Sequence, residues 1–364
     1  MRVLITSLRG WYARFEGPVS SIFLVVGFIF DALTLRRVDF YWENAWIIMY
    51  LLIIATCIVF LNLSENNILD EKNPARAHFW LVNVLQFAFG GVLSAFLVFY
   101  FRSTTLSVTW PFLFVLFVAF MANERLKKHY ARLTLQISFF YLILLSFSVF
   151  IVPVFFHRIG IDVFLISGLL SLGILCLFLL GLGFFSRENF KKSKNMLIFS
   201  VGAIYVATNI LYFFNLIPPI PLSLKDGGVF HSISRNAAGA YILGFEDSGW
   251  LSYVSVREKI HVRAGDPVYA FSSIFSPTSF NTAILHEWQY HDANLNEWRT
   301  ANTVGLSVTG GRDGGYRTYS LKENINPGKW RVNVKTSRGQ IIGRLRFDVI
   351  ATDVPPSLKI EIKD

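Results

Sequence analysis

The residues best suited to metal chemistry lie in the segment His286-Glu-Trp-Gln-Tyr-His-Asp292. On a β-strand, side chains alternate between two faces, so His286 and Trp288 share one face while Glu287 points to the other. The helical zinc pattern His-Glu-x-x-His is not present in this segment. Trp288 is expected to pack in a core, and we predict no metal site here.

Nucleophilic chemistry has no recognisable signature either. No serine or cysteine of the C-terminal half stands beside a base at the spacing that nucleophilic enzymes use. The two cysteines, Cys57 and Cys176, lie inside apolar runs and are expected to act as small apolar residues. We therefore predict no catalytic residues and no cofactor, and we favour a protein that is not an enzyme.

The last hairpin of the chain has a register that the sequence itself indicates. With a two-residue turn at Arg338-Gly339, Trp330 lies opposite Phe347 and Val332 lies opposite Leu345. These four side chains then point to one side, into a core. A slip of one residue would mix apolar and polar side chains on both faces, so the pattern predicts this register.

The same register places positive charges opposite each other on the outer side of the hairpin. Arg331 faces Arg346, and Asn333 faces Arg344. Like charges directly opposite each other on a sheet are destabilising. The pattern therefore predicts compensation by a carboxylate such as Asp348, by a bound anion or by an acidic surface.

A second anion-binding candidate is the loop Gly310-Gly-Arg-Asp-Gly-Gly-Tyr-Arg317. Its glycines, with Arg312 and Arg317, are compatible with a backbone concavity that binds an anion. The alternative is a flexible hairpin loop in which Arg312 and Asp313 pair with each other. The segment lacks the Gly-Lys-Ser/Thr ending of a phosphate-binding P-loop.

In the N-terminal half, Asp31 is the residue most able to do chemistry. It lies late in a long apolar run, and an ionisable group inside a membrane span indicates function by default. The alternative is an ion pair with Arg36 or Arg37 at the membrane surface, about one helical turn away.

Composition indicates the elements that hold these residues. The chain has 364 residues, of which 53% are hydrophobic and only 16% are charged. Soluble domains carry about 25% charge, so the sequence is typical of a membrane protein. With about 20 apolar residues per span, we predict seven transmembrane helices. They are Pro18–Leu35, Ala45–Leu63, Phe79–Phe101, Leu106–Ala122, Leu133–Phe156, Val163–Phe185 and Met196–Ile217.

The loop charges predict an orientation. With the N-terminus in the cytoplasm, thirteen Lys and Arg residues fall in cytoplasmic segments and four in external loops. This bias follows the positive-inside rule, and seven spans then place the C-terminal domain outside the cytoplasm. We expect a multi-pass protein of the bacterial inner (plasma) membrane with a periplasmic C-terminal domain.

The prolines of Pro218-Pro-Ile-Pro221 divide the helical half from a half with a period of two, since they cannot continue a helix. We predict a transmembrane helical domain at 1–217, a Pro-rich linker at 218–228 and an extracytoplasmic β domain at 229–364. Many short strands with turns about every ten residues indicate an immunoglobulin-like β-sandwich.

Several stretches together carry a family resemblance: Gly27–Arg37, Pro218–His231, His286–Trp288, Gly310–Ser320, Pro327–Val332 and Gly339–Phe347. They resemble a family of uncharacterised bacterial polytopic membrane proteins whose C-terminal module is a domain of unknown function. The resemblance implies a Gram-negative cell envelope and gives no catalytic residues.

Two functions compete at this point. The first is a non-enzymatic envelope protein whose β domain binds an acidic glycan, an envelope polymer or an envelope protein through an arginine surface. The second is a transporter, or an enzyme acting on a lipid-linked substrate, in the helical half, with the β domain as an accessory. The lipid bilayer is a partner in both, and the basic excess in membrane loops does not indicate nucleic-acid binding.

Overall fold

The computed structural model describes residues 26, 28–29, 31–32, 41–65, 74–102, 106–125, 132–185, 187–217, 222–246, 257–276, 281–309 and 315–363. The chain divides into two compact units, one made mainly of residues 1–217 and the other mainly of residues 218–364. Among the described residues, the first unit is mainly α-helical and the second consists mainly of β-strands.

Among the described residues, six helices belong to the first unit, besides the helical residues around Asp31. They are α1 (Tyr41–Glu65), α2 (Pro74–Arg102), α3 (Leu106–Arg125), α4 (Leu133–Phe156), α5 (Ile161–Phe185) and α6 (Arg187–Phe213). Five of them, all except α3, are long and apolar enough to cross a membrane. α3 contains a shorter apolar segment, Trp110–Asn123.

Five of the seven predicted spans coincide with these long apolar helices, but the count of seven is not confirmed. Most of the predicted first span lies outside the described residues. Large apolar side chains on α5 and α6 are exposed, among them Phe184 at 82% and Phe199 at 75%. Exposed apolar surface on this scale is expected where helices face lipid.

The interior of the helical unit is formed chiefly by α2 and α4. Phe96 of α2 and Phe150 of α4 are fully buried, and their rings lie 6.4 Å apart. Polar side chains also join helices: Asn62 of α1 donates a hydrogen bond to the Gln136 side chain of α4 at 3.0 Å. Such bonds hold membrane helices together where lipid gives no hydrophobic drive.

α6 ends at Phe213, four residues before the predicted end at Ile217. Asn215 adopts the left-handed conformation, with φ of 57°, and the N–H of Leu216 bonds back to the carbonyl of Leu211 at 2.8 Å. This is the usual way for a helix to satisfy its last carbonyls. The helix therefore stops before the prolines, and residues 218–221 lie outside the described part.

The second unit contains eleven strands among the described residues. They are β1 (Ser223–Phe230), β2 (Ser232–Arg235), β3 (Tyr241–Glu246), β4 (Glu258–Val262), β5 (Val268–Phe275), β6 (Asn281–Asp292), β7 (Glu297–Thr309), β8 (Tyr316–Lys322), β9 (Gly328–Thr336), β10 (Ile341–Ala351) and β11 (Leu358–Lys363). The all-β character of this region is confirmed. β1 begins at Ser223, within the range expected for the linker.

The strands form three sheets. A five-stranded sheet has the order β4-β10-β9-β6-β7, a middle sheet the order β1-β5-β8, and a small sheet the order β11-β3-β2. Trp288, Trp330 and Phe347 of the five-stranded sheet pack with Val268 and Ala270 of the middle sheet to form the main core.

A second, smaller core lies on the other side of the middle sheet. Phe271 of β5 packs there with Tyr241 and Leu243 of the small sheet. β5 is therefore covered on both faces, which explains why nearly all of its residues are buried. The small sheet is an addition to the expected two-sheet sandwich.

The last hairpin has the predicted register: Trp330 pairs with Phe347, Val332 with Leu345 and Arg331 with Arg346. The predicted two-residue turn is wrong. The N–H of Thr336 bonds to the carbonyl of Gln340, which leaves a three-residue loop with Gly339 at φ of 85°. A bulge near Ile341 shifts the pairing by one residue and restores the predicted register beyond it.

Candidate functional site: a cationic face on the five-stranded sheet

The outer side of the five-stranded sheet gathers polar side chains in two rows across neighbouring strands. In one row, Arg346 of β10 lies beside Arg331 of β9, which lies beside Gln289 of β6. In the next row, the order is Arg344, Asn333 and Glu287. Each row follows from period two, because the inner residues of the same strands form the core. We call these six residues, together with Lys335, the cationic face.

Side-chain amides fix the guanidinium groups of two arginines. Arg331 Nε donates to Gln289 Oε1 at 2.7 Å, and Arg344 Nε donates to Asn333 Oδ1 at 2.6 Å. Asn333 Nδ2 in turn donates to Gln289 Oε1 at 3.1 Å. Asn333 is 2% exposed and Gln289 is 9% exposed, so these amides form a buried platform under the arginines. The arginines are therefore held in position before any ligand arrives.

Glu287 supplies the negative charge of the cationic face. Its carboxylate accepts hydrogen bonds from Asn333 Nδ2 at 2.9 Å, from Thr300 Oγ1 at 3.2 Å and from Lys335 Nζ. Burial by itself raises the pKa of Glu287, but the hydrogen bonds from Lys335 and Asn333 and the charge of Lys335 outweigh it, and the pKa is lowered. Glu287 therefore stays ionised near neutral pH and is poorly suited to act as a general base or acid.

The arginines outnumber this carboxylate. Three guanidinium groups and one ammonium group share the Glu287 charge within the cationic face. Burial, together with the charges of Arg331 and Arg346, lowers the pKa of Arg344 to about 10, although Glu287 offsets part of the effect. Burial also lowers the pKa of Arg331, which Glu287 raises and Arg346 lowers. The face therefore carries mutual repulsion that an anion would relieve.

The guanidinium groups keep hydrogen-bonding capacity for a ligand. Arg331 and Arg344 each donate through Nε, and among the described residues their terminal nitrogens have no acceptor. The Arg331 guanidinium also lies over the ring of Trp298, 4.2 Å from its centre. A guanidinium that stacks on an aromatic ring still presents its edge to carboxylate or phosphate oxygens.

Asp348 does not compensate the Arg331–Arg346 pair, although the sequence offered it for that role. It pairs instead with Arg257, whose Nε donates to Asp348 Oδ1 at 2.8 Å. Arg257 also donates to the backbone carbonyl of Phe347 at 3.1 Å. This ion pair fixes the start of β4 against β10, so Asp348 adds no negative charge to that of Glu287 on the cationic face.

His286 lies on the inner side of β6 and is fully buried between the five-stranded and middle sheets. Its Nε2 is 2.8 Å from Ser272 Oγ and its Nδ1 is 2.9 Å from Ser320 Oγ. Trp288 Nε1 also donates to Ser320 Oγ, at 2.9 Å. Both ring nitrogens are engaged by serines, so the residue serves the core. Within the described residues no three His, Cys, Asp or Glu side chains are placed to hold a metal ion.

A second titratable cluster joins the small sheet to the five-stranded sheet. Both carboxylate oxygens of Glu246 contact imidazoles, Oε1 with His231 Nε2 and Oε2 with His261 Nδ1, each at 2.7 Å. The backbone N–H of His261 also donates to Oε1 at 2.6 Å. Because both carboxylate oxygens of Glu246 contact groups of the same chain, the cluster is an intramolecular link between β3 and β4.

The other predicted anion-binding residues are not brought to the cationic face. Arg312 and Asp313 lie outside the described residues. Arg317 lies on β8 of the middle sheet, paired with Ser273 of β5. Since Ser320 points toward the five-stranded sheet, Arg317 points to the opposite side of the middle sheet.

In the helical unit, Asp31 is half-buried and lies beside Ser94 of α2. Tyr50 of α1 lies close enough to Asp31 to interact with its negative charge. The Tyr50 ring also fits against Gly91 of α2, where an added Cβ would lie 3.1 Å from a ring carbon. Arg36 and Arg37, the alternative partners of Asp31, lie outside the described residues.

The sequence did not assign Glu287, Gln289 and Lys335 to the arginine surface. Period two already placed Glu287 and Gln289 on one side of β6. The missing information was that β6 pairs with β9, which sets Gln289 beside Arg331. An alternation of polar residues on two separate strands is the signal that could have suggested this pairing.

The fold is thus a set of apolar helices followed by an all-β region with a cationic outer face. Residues 281–349 match the family model described as a protein of unknown function (DUF2914). The matched segment contains all seven residues of the cationic face. No curated protein matches the chain in sequence.

Three of the similar solved structures show distant similarity. An immunoglobulin-like protein from Pseudomonas aeruginosa is 9% identical over 35% of this chain and 96% of its own, with a TM-score of 0.21. A β-glucosidase from Listeria innocua in complex with glucose is 14% identical over 26% of this chain and 15% of its own, with a TM-score of 0.19. The Pseudomonas fluorescens alkylpurine DNA glycosylase AlkC, bound to DNA containing an abasic site analogue, is 8% identical. That match covers 84% of this chain and 98% of the glycosylase, with a TM-score of 0.22. None of the three assigns a function to this chain.

Proposed function

We propose that this chain is a non-enzymatic membrane protein of the bacterial envelope whose β region binds an acidic ligand through the cationic face. The orientation proposed for it places the β region in the periplasm, as the loop charges predict. The ligand class is a polymer with repeated carboxylate or phosphate groups, such as an acidic envelope glycan.

One observation carries this proposal: three arginines share a single carboxylate on a platform of fixed amides. Arg331 and Arg346 lie directly opposite each other on neighbouring strands, an arrangement that is destabilising without a counter-charge. Arg331 is already held by Gln289 and Trp298, so binding immobilises little that is mobile. The attraction between the arginines and an anionic ligand therefore appears as binding affinity.

The geometry favours a ligand with several negative charges over a single ion. Neighbouring strands are about 4.8 Å apart, so Arg331 and Arg346 are spaced to hold adjacent anionic groups of one polymer. Guanidinium groups bind carboxylate and phosphate oxygens through paired N–H donors. The half-buried position of the row strengthens these contacts relative to a fully solvated surface.

The test is binding of fluorescein-labelled oligogalacturonate, which carries only carboxylates, to the full chain in detergent. The double variant Arg331→Gln, Arg346→Gln is expected to weaken binding at least tenfold, which corresponds to about 1.4 kcal/mol. Binding of the unaltered chain is expected to weaken as salt rises, because part of the attraction is screened. A polyphosphate of matched charge distinguishes phosphate from carboxylate preference.

Arg263→Gln is the matched control, because Arg263 pairs with Asp266 at 3.2 Å and lies outside the cationic face. It should leave the affinity unchanged. The control removes one positive charge and the double variant removes two, so a loss of binding free energy in the control that is half as large as in the double variant would show that net charge alone is responsible and would contradict the proposal. Loss of fold in the double variant would instead make the arginines structural residues.

A further inference from the structure

The apolar side chains of β11 are exposed, and only its last residue, Lys363, is partly buried. Leu358, Ile360 and Ile362 are 44%, 70% and 60% exposed. Lys363 turns to the other side, where its ammonium group contacts Asp226 and lies 5.7 Å from the centre of the Phe271 ring. The apolar side chains of β11 therefore lie on the side of the strand opposite Lys363, which faces the middle sheet.

β11 is also the edge of the small sheet. It pairs antiparallel with β3 on one side, from Leu358 opposite Glu246 to Lys363 opposite Tyr241. In the described part of the chain, no strand pairs with its other side. An edge strand presents backbone N–H and C=O groups that can bind another strand. An apolar row beside such an edge indicates an interaction surface.

The charges of β11 identify the partner strand that fits. The sequence of the strand is Leu-Lys-Ile-Glu-Ile-Lys. When a second copy of β11 is laid antiparallel beside it with Ile360 opposite its own counterpart, Lys359 of each copy lies opposite Glu361 of the other. Leu358 then lies opposite Ile362 of the other copy, so apolar residues meet on the outer face and opposite charges meet on the inner face.

The neighbouring registers are excluded by charge. In an antiparallel pair, apolar residues stay opposite apolar residues only if the register changes by two residues at a time. The next such register in one direction sets Lys359 opposite itself. The next in the other direction sets Glu361 opposite itself and Lys359 opposite Lys363. Each opposes like charges, so one antiparallel register is favoured over both neighbours.

We propose that β11 is a dimerisation strand and that its occupant is a second copy of this chain. Two small sheets join edge to edge around a two-fold axis into one continuous sheet, as isologous interfaces require. The pairing satisfies backbone groups of both edges and covers the Ile360 side chains against each other. The pairing involves no residue of the cationic face, so the dimerisation proposal is tested independently of ligand binding.

Charge reversal tests the register. One chain has a mass of 41.5 kDa. Light scattering of the full chain in detergent, after subtraction of the micelle mass, is expected to give the mass of a dimer. Lys359→Glu and Glu361→Lys are each expected to weaken dimerisation at least tenfold, because each sets like charges opposite each other. The double reversal Lys359→Glu, Glu361→Lys is expected to restore the dimer to within about threefold, as it re-forms both pairs. Glu323→Lys, on an exposed turn after β8, is the control and should change nothing.

Disulfide cross-linking tests the symmetry in intact membranes. In a background of Cys57→Ala and Cys176→Ala, Ile360→Cys should give a cross-linked dimer in most of the protein after mild oxidation. Val354→Cys is the control of matched exposure, at 72%, and lies before the strand. It should cross-link at least fivefold less.

Three results would overturn the proposal. The first is a monomer at tens of micromolar without cross-linking at position 360. The second is a dimer that neither single reversal weakens, which would place the interface elsewhere. The third is a monomer in which a fluorophore attached at Ile360→Cys becomes buried on addition of lipid vesicles, which would make lipid the occupant.

Discussion

The charge state of His286 is set by its surroundings. Burial lowers its pKa from an ordinary value of 6.5 to about 4, and the two serine hydroxyls at 2.8 and 2.9 Å suit a neutral imidazole. The folded protein therefore binds this proton more weakly than the unfolded chain does. The stabilising effect of a neutral His286 is complete above pH 6.5 and is lost as the pH falls toward 4.

This property predicts how one substitution changes with pH. The difference in unfolding free energy between the unaltered chain and His286→Gln should shrink by about 3 kcal/mol between pH 7.5 and pH 4. Urea midpoints from pulse proteolysis of the full chain in detergent give the two unfolding free energies. All titratable groups other than His286 are common to both proteins, so their pH dependence cancels in the difference. His291→Gln, at the end of β6, is the control. A difference that stays constant with pH would show that His286 does not titrate as expected.

Among the strands and hairpins, the β9–β10 hairpin depends on two glycines for different reasons. Gly339 takes φ of 85°, which closes the three-residue loop, and open space surrounds the position where a Cβ would be. Gly343 lies in β10 under Leu224 of β1. A Cβ there would be 3.0 Å from Leu224 Cβ and closer still to its Cδ2.

Gly343→Ala should therefore destabilise the β region by overpacking, by about 1–3 kcal/mol. Gly305→Ala on β7 is a matched glycine-to-alanine control in a strand, since its Cβ would lie at an ordinary 3.9 Å from Leu285 Cδ2. The measurement is the urea midpoint of both variants by pulse proteolysis. Adding Leu224→Ala to Gly343→Ala should recover part of the loss. Equal effects of the two glycine variants would contradict the contact with Leu224.

At the scale of the whole molecule, the open question with most consequence is the side of the membrane on which the β region lies. Five described helices are long and apolar enough to span a bilayer, while the orientation rests on the distribution of Lys and Arg among the loops. An odd number of spans with a cytoplasmic N-terminus places the β region outside. An even number places it inside.

Reporter fusions at Asp364 decide this point. We expect an alkaline phosphatase fusion, active only outside the cytoplasm, to be active and a green fluorescent protein fusion, fluorescent only inside, to be dark. Fusions after Arg132, in a loop predicted to be cytoplasmic, are the control and should give the reverse. An internal result at Asp364 would mean that the span count is wrong, and acidic ligands of the cytoplasm would then be the ones to test against the cationic face.

The sequence by itself determined the local features. Apolar length marked five helices, and alternation fixed the register of the last hairpin and the common side of Arg331, Arg344 and Arg346. Both follow from neighbours along the chain, where the periods of helix and strand leave little freedom. The same alternation placed Trp288 and His286 together on the inner side of β6.

Only the tertiary structure decided which separate strands meet. The pairing of β6 with β9 places Glu287 and Gln289 beside the arginines. The pairing of β4 with β10 places Arg257 where it forms an ion pair with Asp348. The third sheet, which moved Arg317 to another side of the unit and left β11 at an edge, also had no local signal. Such contacts join residues far apart in sequence, and long loops between strands leave their register open until the core packs.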